Sequence, residues 1–204
     1  MKTDKELLGA WGGGDRAAGN ELFRRHFSAV HRFFANKVDR DVEDLVQRTF
    51  MACTEGRDRF EGRSSFRTYV LGIANHLVCN AYRRKRARVE VDLDRDSIVD
   101  LGASPSTLFA EQEEQRVLLE ALRRIPLTSQ VVLELYYWER LTGPQLGEVL
   151  GIPEDTARSR VRTAKQLLRK ALAQLSASRR VLESTDADLE QWADSIRVEL
   201  DRAG

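Results

Sequence analysis

The residues best suited to chemistry lie on one side of a predicted helix near residues 154–172. At 100° per residue, Ala157, Val161, Ala164 and Leu168 form one apolar stripe. The opposite side carries basic and polar residues: Arg158, Ser159, Arg162, Gln166 and Arg169. Arginine side chains can hydrogen-bond guanine edges and neutralise phosphates. The pattern indicates a DNA-binding face, and a basic face in contact with solvent is the alternative.

The residues before this helix have the signals of a helix-turn-helix. Thr142 and Gln145 form a capping box that begins a short helix with Leu146, Val149 and Leu150 on its apolar side. Gly151 permits a tight turn with positive φ. Pro153, Glu154 and Asp155 then suit the first turn of a helix. The adjoining turn therefore favours DNA binding over a merely solvated face.

A second basic tract lies in the first half of the chain. It contains Arg83, Arg84, Lys85, Arg86 and Arg88. The helix that precedes it is predicted to expose Asn75, His76, Asn80 and Tyr82. Cationic groups bind phosphates, and aromatic or amide groups stack on or hydrogen-bond unpaired bases. The tract therefore suits single-stranded DNA, and a solvated helix end is the alternative.

Catalytic and metal-binding patterns are missing from the sequence. His26, His31 and His76 have no metal-binding spacing with Cys53 or Cys79. The glycines at 12–14 lack the lysine and hydroxyl residue of a phosphate-binding loop. Because no nucleophile, base and orienting group occur together, we predict a protein that is not an enzyme and needs no metal or cofactor.

Helical periodicity dominates the elements that must position these residues. Three helices are predicted in the first half from the following apolar sets: Phe23, Phe27, Val30 and Phe34; Val42, Leu45, Val46 and Phe50; and Phe66, Tyr69, Val70, Ile73 and Leu77. Two more helices, separated by Pro126, carry Leu118, Leu119, Leu122 and Ile125, then Val131, Val132, Leu135 and Tyr136. The predicted fold class is all-α.

An acidic segment separates the two halves. Residues 89–115 contain eight acidic residues and one base, Arg95. We predict a flexible linker, with an irregular loop inside one domain as the alternative. The predicted divisions are 1–88, the linker 89–115, 116–176 with the helix-turn-helix, and an extension over 177–204.

The extension contains apolar residues at helical spacing, namely Leu189, Trp192, Ile196 and Leu200. We expect a short amphipathic helix, with Ser184 or Thr185 near its cap, that docks on the rest of the chain or on a partner. A simple extension of the C-terminal core is the alternative.

Composition places the chain among intracellular proteins. The formal net charge is +1, with 32% charged residues. The two cysteines form no Cys-x-x-Cys pair, which is typical of a reducing compartment. No stretch has the length of a membrane span or of a signal peptide. We expect a cytoplasmic location.

Three segments, in order, resemble the extracytoplasmic-function (ECF) group of RNA polymerase sigma factors. DVEDLVQRTF at 41–50 is similar to the group's second region, and FEGRSSFRTYVLGIANHLVCNAYRRKRAR to the part that follows. LRRIPLTSQVVLELYYWERLTGPQLGEVLGIPEDTARSRVRTAKQLLRKAL is similar to its fourth region. The resemblance covers roughly residues 16–175. It implies a factor that binds core polymerase and directs promoter recognition, DNA melting and initiation.

The resemblance also implies roles for individual residues. Those implied to contact the clamp helices of the polymerase β′ subunit are Asp41, Asp44, Leu45 and Gln47. Those implied to capture a flipped base and the melted minus-ten strand are Arg63, Ser64, Ser65, Phe66, His76, Asn80, Arg83 and Arg84. Those implied to read the minus-thirty-five duplex are Thr156, Arg158, Ser159, Arg162, Thr163 and Lys165. The β flap and an anti-sigma factor are the other implied partners.

Four positions depart from the common pattern of the group. Tyr69 replaces a usual tryptophan, and Thr163 replaces a common arginine or lysine. Aspartate is frequent at the position of Asn80, and asparagine at that of His76. The promoter sequence therefore does not transfer from the group to this chain.

Two other classes of function remain open on the residues alone. One is a helix-turn-helix regulator that dimerises on operators without polymerase. The other is an adaptor whose helices bind only proteins. The segment at 41–50 argues against the first, and the basic helix face argues against the second.

Overall fold

A computed structural model describes residues 2–38, 41–57, 60, 62, 64–85, 92–99, 113–175 and 191. The predicted all-α class is confirmed: the described residues contain no strand, only an isolated bridge between Ser97 and Pro126. Eight helices occur in this part of the chain. They are α1 (Asp4–Gly12), α2 (Arg16–Ala35), α3 (Val42–Glu55), α4 (Phe66–Lys85), α5 (Glu113–Arg123), α6 (Leu127–Tyr137), α7 (Gly143–Leu150) and α8 (Glu154–Leu175).

Helices α1 to α4 form the first half. Helix α1, which the apolar spacing does not predict, begins at a capping box in which the Thr3 N–H donates to Glu6 Oε2 at 2.7 Å. Leu7 and Trp11 are its buried residues. The indole of Trp11 meets the ring of Phe23 edge-on, with centroids 5.3 Å apart. These contacts hold α1 on α2 and complete the core that α2, α3 and α4 share.

Helices α5 to α8 form the second half. Helix α6 lies at its centre, since Val131, Val132, Leu133 and Leu135 are each at most 1% exposed. The buried stripe predicted for α8 is confirmed, because it consists of Ala157, Val161, Ala164, Leu168, Ala171 and Leu172. That stripe faces the core, so the other side of α8 is left to solvent.

Part of the predicted linker packs against the second half. Leu93 and Ile98 are 6% and 0% exposed. The Leu127 N–H donates to Asp96 O at 3.1 Å, and the Thr128 N–H to Leu93 O at 3.2 Å. These hydrogen bonds attach residues 92–99 to the start of α6. The predicted linker is therefore packed against the second half over this part of its length. Residues 86–91 and 100–112, and all of the extension except Gln191, lie outside the described residues.

The two halves contact each other where α4 meets α7. A side chain at Gly72 of α4 would lie 3.9 Å from the Cα and the carbonyl oxygen of Val149 in α7. The backbones of the two helices thus approach closely enough for a Cβ at position 72 to be in ordinary van der Waals contact with Val149.

Candidate nucleic-acid interface

The turn between α7 and α8 has the geometry of a helix-turn-helix. The Thr142 N–H donates to Gln145 Oε1 at 2.9 Å, which is the glutamine half of the predicted capping box. Gly151 has φ +66°, as its predicted turn requires. The Ile152 N–H donates to Gly147 O at 3.0 Å and closes the turn. These features fix the angle at which α8 leaves α7.

The outward side of α8 is open to solvent. Its exposed residues include Thr156, Arg158, Ser159, Arg162, Thr163, Gln166 and Arg169. The Arg158 side chain is 68% exposed, and its Nε donates to Glu154 Oε1 at 2.9 Å. Lys165 is half-buried, with Nζ 5.1 Å from the ring centroids of Tyr136 and Tyr137. Arg158 and Arg162 are therefore available to a ligand, whereas Lys165 is held partly against α6.

The second set of polar residues lies on α4. His76, Arg83 and Arg84 are exposed, and Asn75 and Asn80 are half-buried. Asn80 Nδ2 lies 3.2 Å from a ring nitrogen of His76, one turn away. The predicted basic and polar end of this helix is thus on the surface as far as Arg84.

Ser64 and Ser65 precede α4 and differ in environment. Ser64 is half-buried and Ser65 is exposed. The Ser65 hydroxyl oxygen accepts the N–H of Thr68 at 3.1 Å and so caps the first turn of α4. Ser65 has a structural task in this conformation, whatever else it binds. Arg63, Arg86 and Arg88 lie outside the described residues.

The exposure predicted for Tyr82 is wrong. Its side chain is 4% exposed, and its hydroxyl donates to the carbonyl oxygen of Lys37. Phe66 is also buried, at 1% exposure, in an aromatic cluster with Trp11 and His26. Neither ring is placed to stack on a base in this structure, because both belong to the core of the first half.

The predicted polymerase-docking residues lie in and beside the first turns of α3. Asp41 precedes the helix with φ +68°, a conformation that aspartate tolerates better than most residues. Asp41, Asp44 and Gln47 are exposed. Leu45 is 4% exposed and packs in the core, so its assignment as a surface contact is corrected. The side chains left for docking are polar or acidic.

An apolar groove between α2 and α3, missed in the sequence, adjoins this acidic edge. Phe27 and Met51 are 39% and 53% exposed. With Phe23, Phe50 and Gln47 they line a cavity of about 340 Å³. The sequence feature that indicates this groove is Met51, an apolar residue on the polar side of α3.

The sequence also gave no sign of a cleft between the halves. The cleft, of about 1090 Å³, is lined by His76 and Arg83 of α4 and by Arg160 of α8, among others. Arg160 also lies 4.0 Å from Asp94 of the packed linker segment. The end of α4 predicted to bind single-stranded DNA and the helix-turn-helix therefore both line this cleft.

Other reactive groups offer little alternative chemistry. Burial raises the pKa of the Cys53 thiol to about 12, and burial also raises the pKa of the Cys79 thiol. Among the residues placed by the structure, no cluster of three or more histidine, cysteine or acidic side chains could bind a metal ion. No helix in the same residues combines the length and apolarity needed to cross a bilayer.

Comparison with known families identifies both halves. Residues 22–88 match the family described as Sigma-70 region 2, and residues 115–168 match Sigma-70, region 4. The first match contains α3 and α4, and the second contains α7, the turn and α8 as far as Leu168.

Full-length relatives extend these matches. The chain is 26% identical over 178 residues to the ECF RNA polymerase sigma factor SigM of Mycobacterium tuberculosis, covering 86% of this chain and 87% of SigM. It is 24% identical over 183 residues to the ECF RNA polymerase sigma-E factor of Haemophilus influenzae, covering 85% and 97%. It is 27% identical over 164 residues to the RNA polymerase sigma factor CarQ of Myxococcus xanthus, covering 79% and 93%.

The fold is similar to a solved structure as well. Sigma factor RpoE of Bartonella quintana, crystallised with the anti-sigma factor NepR, superimposes with a TM-score of 0.59 at 17% identity, covering 76% of this chain and 96% of that one. The two family matches together span more than half of the chain, in the order of the resemblance noted in the sequence. The chain belongs to the ECF group of the sigma-70 family, whose members bind core RNA polymerase and direct transcription initiation from promoters.

Proposed function

We propose that this sigma factor divides promoter recognition between two surfaces. The exposed side of α8, with Thr156, Arg158, Ser159, Arg162 and Thr163, reads the minus-thirty-five element in the major groove. Lys165, at the edge of that side, contacts the DNA backbone. The carrying observation is that this side is open to solvent while the opposite stripe is buried in the core.

The minus-ten strand binds along α4 in the same proposal. His76 and Asn80 offer donors and acceptors to unpaired bases, and Arg83 and Arg84 neutralise phosphates. Ser64 and the neighbouring Arg63 lie before the helix and contact the extruded base. Ser65 and Phe66 support this loop by capping α4 and by packing in the core.

Core polymerase docks on the acidic edge of α3. Asp41, Asp44 and Gln47 contact the β′ clamp helices, while Leu45 supports the helix from below. The second half contacts the β flap. The protein acts in the cytoplasm as an initiation factor without catalysis of its own, and an anti-sigma factor remains a predicted partner.

The division at 88 and 116 follows from the proposal. Each side of the predicted linker carries one DNA-binding surface, so residues 1–88 and 116–176 act as two binding units. The extension over 177–204 is predicted to dock on one of them or on a partner. Deleting residues 178–204 and measuring promoter-driven transcription tests its role, because unchanged activity and stability would exclude regulation by it.

The first test adds the purified full chain to core polymerase on DNA from upstream of its own coding sequence. We expect a stable complex and initiation at specific sites. Absence of binding to core polymerase would refute the proposal. Initiation without the chain would show that it is not the promoter-selecting subunit.

A charge reversal in α3 tests the docking edge. Asp44→Lys is expected to weaken the affinity for core polymerase about tenfold or more, because like charges replace an attraction across the interface. Glu55→Lys, at the other end of α3, is the matched control and should leave the affinity unchanged. Titration with labelled sigma factor measures both. Equal loss in the two variants would place the docking surface elsewhere.

A further inference from the structure

The guanidinium of Arg158 is held by a carboxylate on its own helix. Glu154, the first residue of α8, accepts hydrogen bonds at Oε1 from both Nε and Nη2 of Arg158, and the bond from Nε is 2.9 Å long. A glutamate four residues before an arginine is the favourable order for such a pair, and an acidic group suits the first turn of a helix. The Arg158 side chain is 68% exposed, so the pair lies on the open side of the helix-turn-helix.

These two bonds decide which edge of the guanidinium remains available. An arginine side chain has five N–H donors in a planar fork. Its Nε and Nη2 hydrogens form a parallel pair along the side of the fork, and its Nη1 and Nη2 hydrogens form a parallel pair at the end. Glu154 occupies the side pair of Arg158. The end pair is therefore left for two parallel hydrogen bonds to O6 and N7 of a guanine.

A glycine on the neighbouring helix leaves room for the two side chains. A Cβ at Gly143, the first residue of α7, would lie 2.8 Å from Glu154 Oε1 and 3.0 Å from Arg158 Nε. The φ of Gly143 is outside the left-handed region, so the backbone conformation does not require a glycine there. The space that a larger residue would fill is taken by the carboxylate and the guanidinium. The position of Arg158 thus depends on α7 as well as on α8.

The effect of this arrangement falls on DNA binding rather than on the stability of the fold. An exposed ion pair stabilises a protein little, because water screens it and two long side chains must be ordered to form it. An arginine that moves freely loses its rotamer freedom when it binds a base, whereas an arginine that is already held loses less. Holding Arg158 before DNA binds therefore favours the correct base.

We propose that Glu154 and Gly143 are positioning residues for base recognition, which hold Arg158 so that its Nη1 and Nη2 atoms meet one guanine of the minus-thirty-five element. The inference rests on the proposed function, in which the exposed side of α8 reads that element. Neither positioning residue contacts the base. Glu154 sets the orientation of the guanidinium, and Gly143 leaves the space in which the pair forms.

Selection from a pool of randomised templates measures this contact. The pool is DNA from upstream of the coding sequence of this chain, with the minus-thirty-five element randomised, and it is offered to core polymerase that carries the full chain. Sequencing of the bound templates gives the enrichment of each base at each position. We expect Arg158→Ala to abolish guanine enrichment at one base pair, which identifies the base pair that Arg158 reads.

Gly143→Ala tests the space beside the pair without changing either of its members. The added methyl group would displace Glu154 Oε1 and Arg158 Nε, which belong to flexible side chains and can move aside. We expect guanine enrichment at that base pair to fall about two- to tenfold, the usual cost of ordering one long side chain on binding. Enrichment at the other base pairs and the midpoint of thermal unfolding should not fall, since alanine favours a helix more than glycine does. A lower midpoint, or an equal loss at every base pair, would show a structural role and overturn the proposal.

Glu154→Ala removes the carboxylate and should give the same loss at the same base pair. Glu154→Gln should restore part of the enrichment, because its amide oxygen still accepts from Arg158. In an Arg158→Ala protein, Glu154→Ala should change the enrichment no further, since it acts through the guanidinium. A further loss in that protein would mean that Glu154 contacts DNA itself, which contradicts a positioning role. Glu120→Ala, which removes the exposed pair with Arg124 directly after α5, is the matched control and should leave the enrichment unchanged.

The pattern across the variants separates this inference from the proposed function. If Arg158→Ala leaves the enrichment unchanged at every base pair, α8 does not read the element through this residue, and both the proposed reading and the inference are wrong. If Arg158→Ala abolishes the enrichment at one base pair while Gly143→Ala and Glu154→Ala leave it unchanged, the proposed function stands and the positioning role is wrong.

Discussion

Arg158 is the residue on which the proposed reading of duplex DNA can be tested most directly. Its guanidinium is held near the start of α8 by Glu154 and is largely exposed. Arg158→Ala is expected to weaken binding to a minus-thirty-five duplex by about 1–3 kcal/mol, the usual value of a bidentate arginine contact to a base. Fluorescence anisotropy with short duplexes of matched and scrambled sequence measures the change.

Arg124→Ala provides the control for Arg158→Ala. Arg124, which directly follows α5, makes the same type of exposed pair with Glu120, four positions earlier, and does not belong to α8. The Arg124→Ala variant should bind the duplex with normal affinity. Both this variant and Arg158→Ala should bind core polymerase with normal affinity. Loss of polymerase binding in Arg158→Ala would show that the functions of the two halves have been misassigned.

At the residue scale, sequence spacing predicts exposure well where every position of the buried stripe is included in the pattern. On α8 the alanine, valine and leucine stripe fixed the opposite face, and Arg158 and Arg162 are exposed as expected. On α4 the buried stripe runs at four-residue spacing through Phe66, Val70, Ala74, Val78 and Tyr82, so the periodicity itself places Tyr82 in the core, where its hydroxyl donates to Lys37 O. Leu45 and Phe66 occupy motif positions, and a motif does not distinguish a contact residue from the core residue beneath it.

The turn between α7 and α8 is the element whose geometry can be disturbed with the smallest change. A Cβ at Gly147 would lie 2.7 Å from the carbonyl oxygen of Ile152, which is backbone and cannot move aside alone. Gly147→Ala is therefore expected to reduce stability by about 1–3 kcal/mol, as overpacking does, and to tilt α8 against α7. Thermal unfolding and duplex binding should both weaken.

Gly9→Ala is the matched control for this change. Gly9 lies inside α1, where an added Cβ meets no atom within 4 Å. This substitution should stabilise the protein by about 0.5–1 kcal/mol, the helix preference of alanine over glycine. If Gly147→Ala were as well tolerated as Gly9→Ala, the close approach of the two helices would not matter for the turn.

At the element scale, helices with repeated apolar spacing and local caps were predictable. The turn residues Thr142, Gln145 and Gly151 act only on their neighbours, so they were legible in the sequence. Helix α1 was missed because nine residues offer too few apolar positions to establish a period. The contact between α4 and α7 could not be predicted from the sequence, because the apolar pattern of a helix shows which side is buried but not which helix packs against it.

For the whole molecule, the attachment of the packed linker segment decides how the halves are arranged. Leu93→Ala removes a side chain that is 6% exposed and should loosen residues 92–99 by about 2–5 kcal/mol. Tryptic cleavage after Arg95, whose side chain is 87% exposed, should then accelerate about tenfold or more, since 1.4 kcal/mol corresponds to a factor of ten.

Val99→Ala is the control for Leu93→Ala within the same segment. Val99 is 48% exposed, so its truncation should leave the cleavage rate nearly unchanged. Equal acceleration in both variants would mean that Leu93 does not hold the segment. Unequal acceleration would support attachment through the buried side chain.

The same segment sets the span of the chain on DNA. From Lys85 at the end of α4 to Asp92 the chain reaches about 25 Å at most, at 3.3–3.6 Å per residue, whereas from Lys85 to the start of α5 it reaches about 100 Å. With residues 92–99 attached beside Arg160, the end of α4 is tethered near the recognition helix by the shorter length. Only the longer length matches the roughly 85 Å between the two promoter elements at 3.4 Å per base pair. Release of Leu93 and Ile98 from their buried positions would therefore lengthen the tether between the end of α4 and the second half from about 25 Å to about 100 Å.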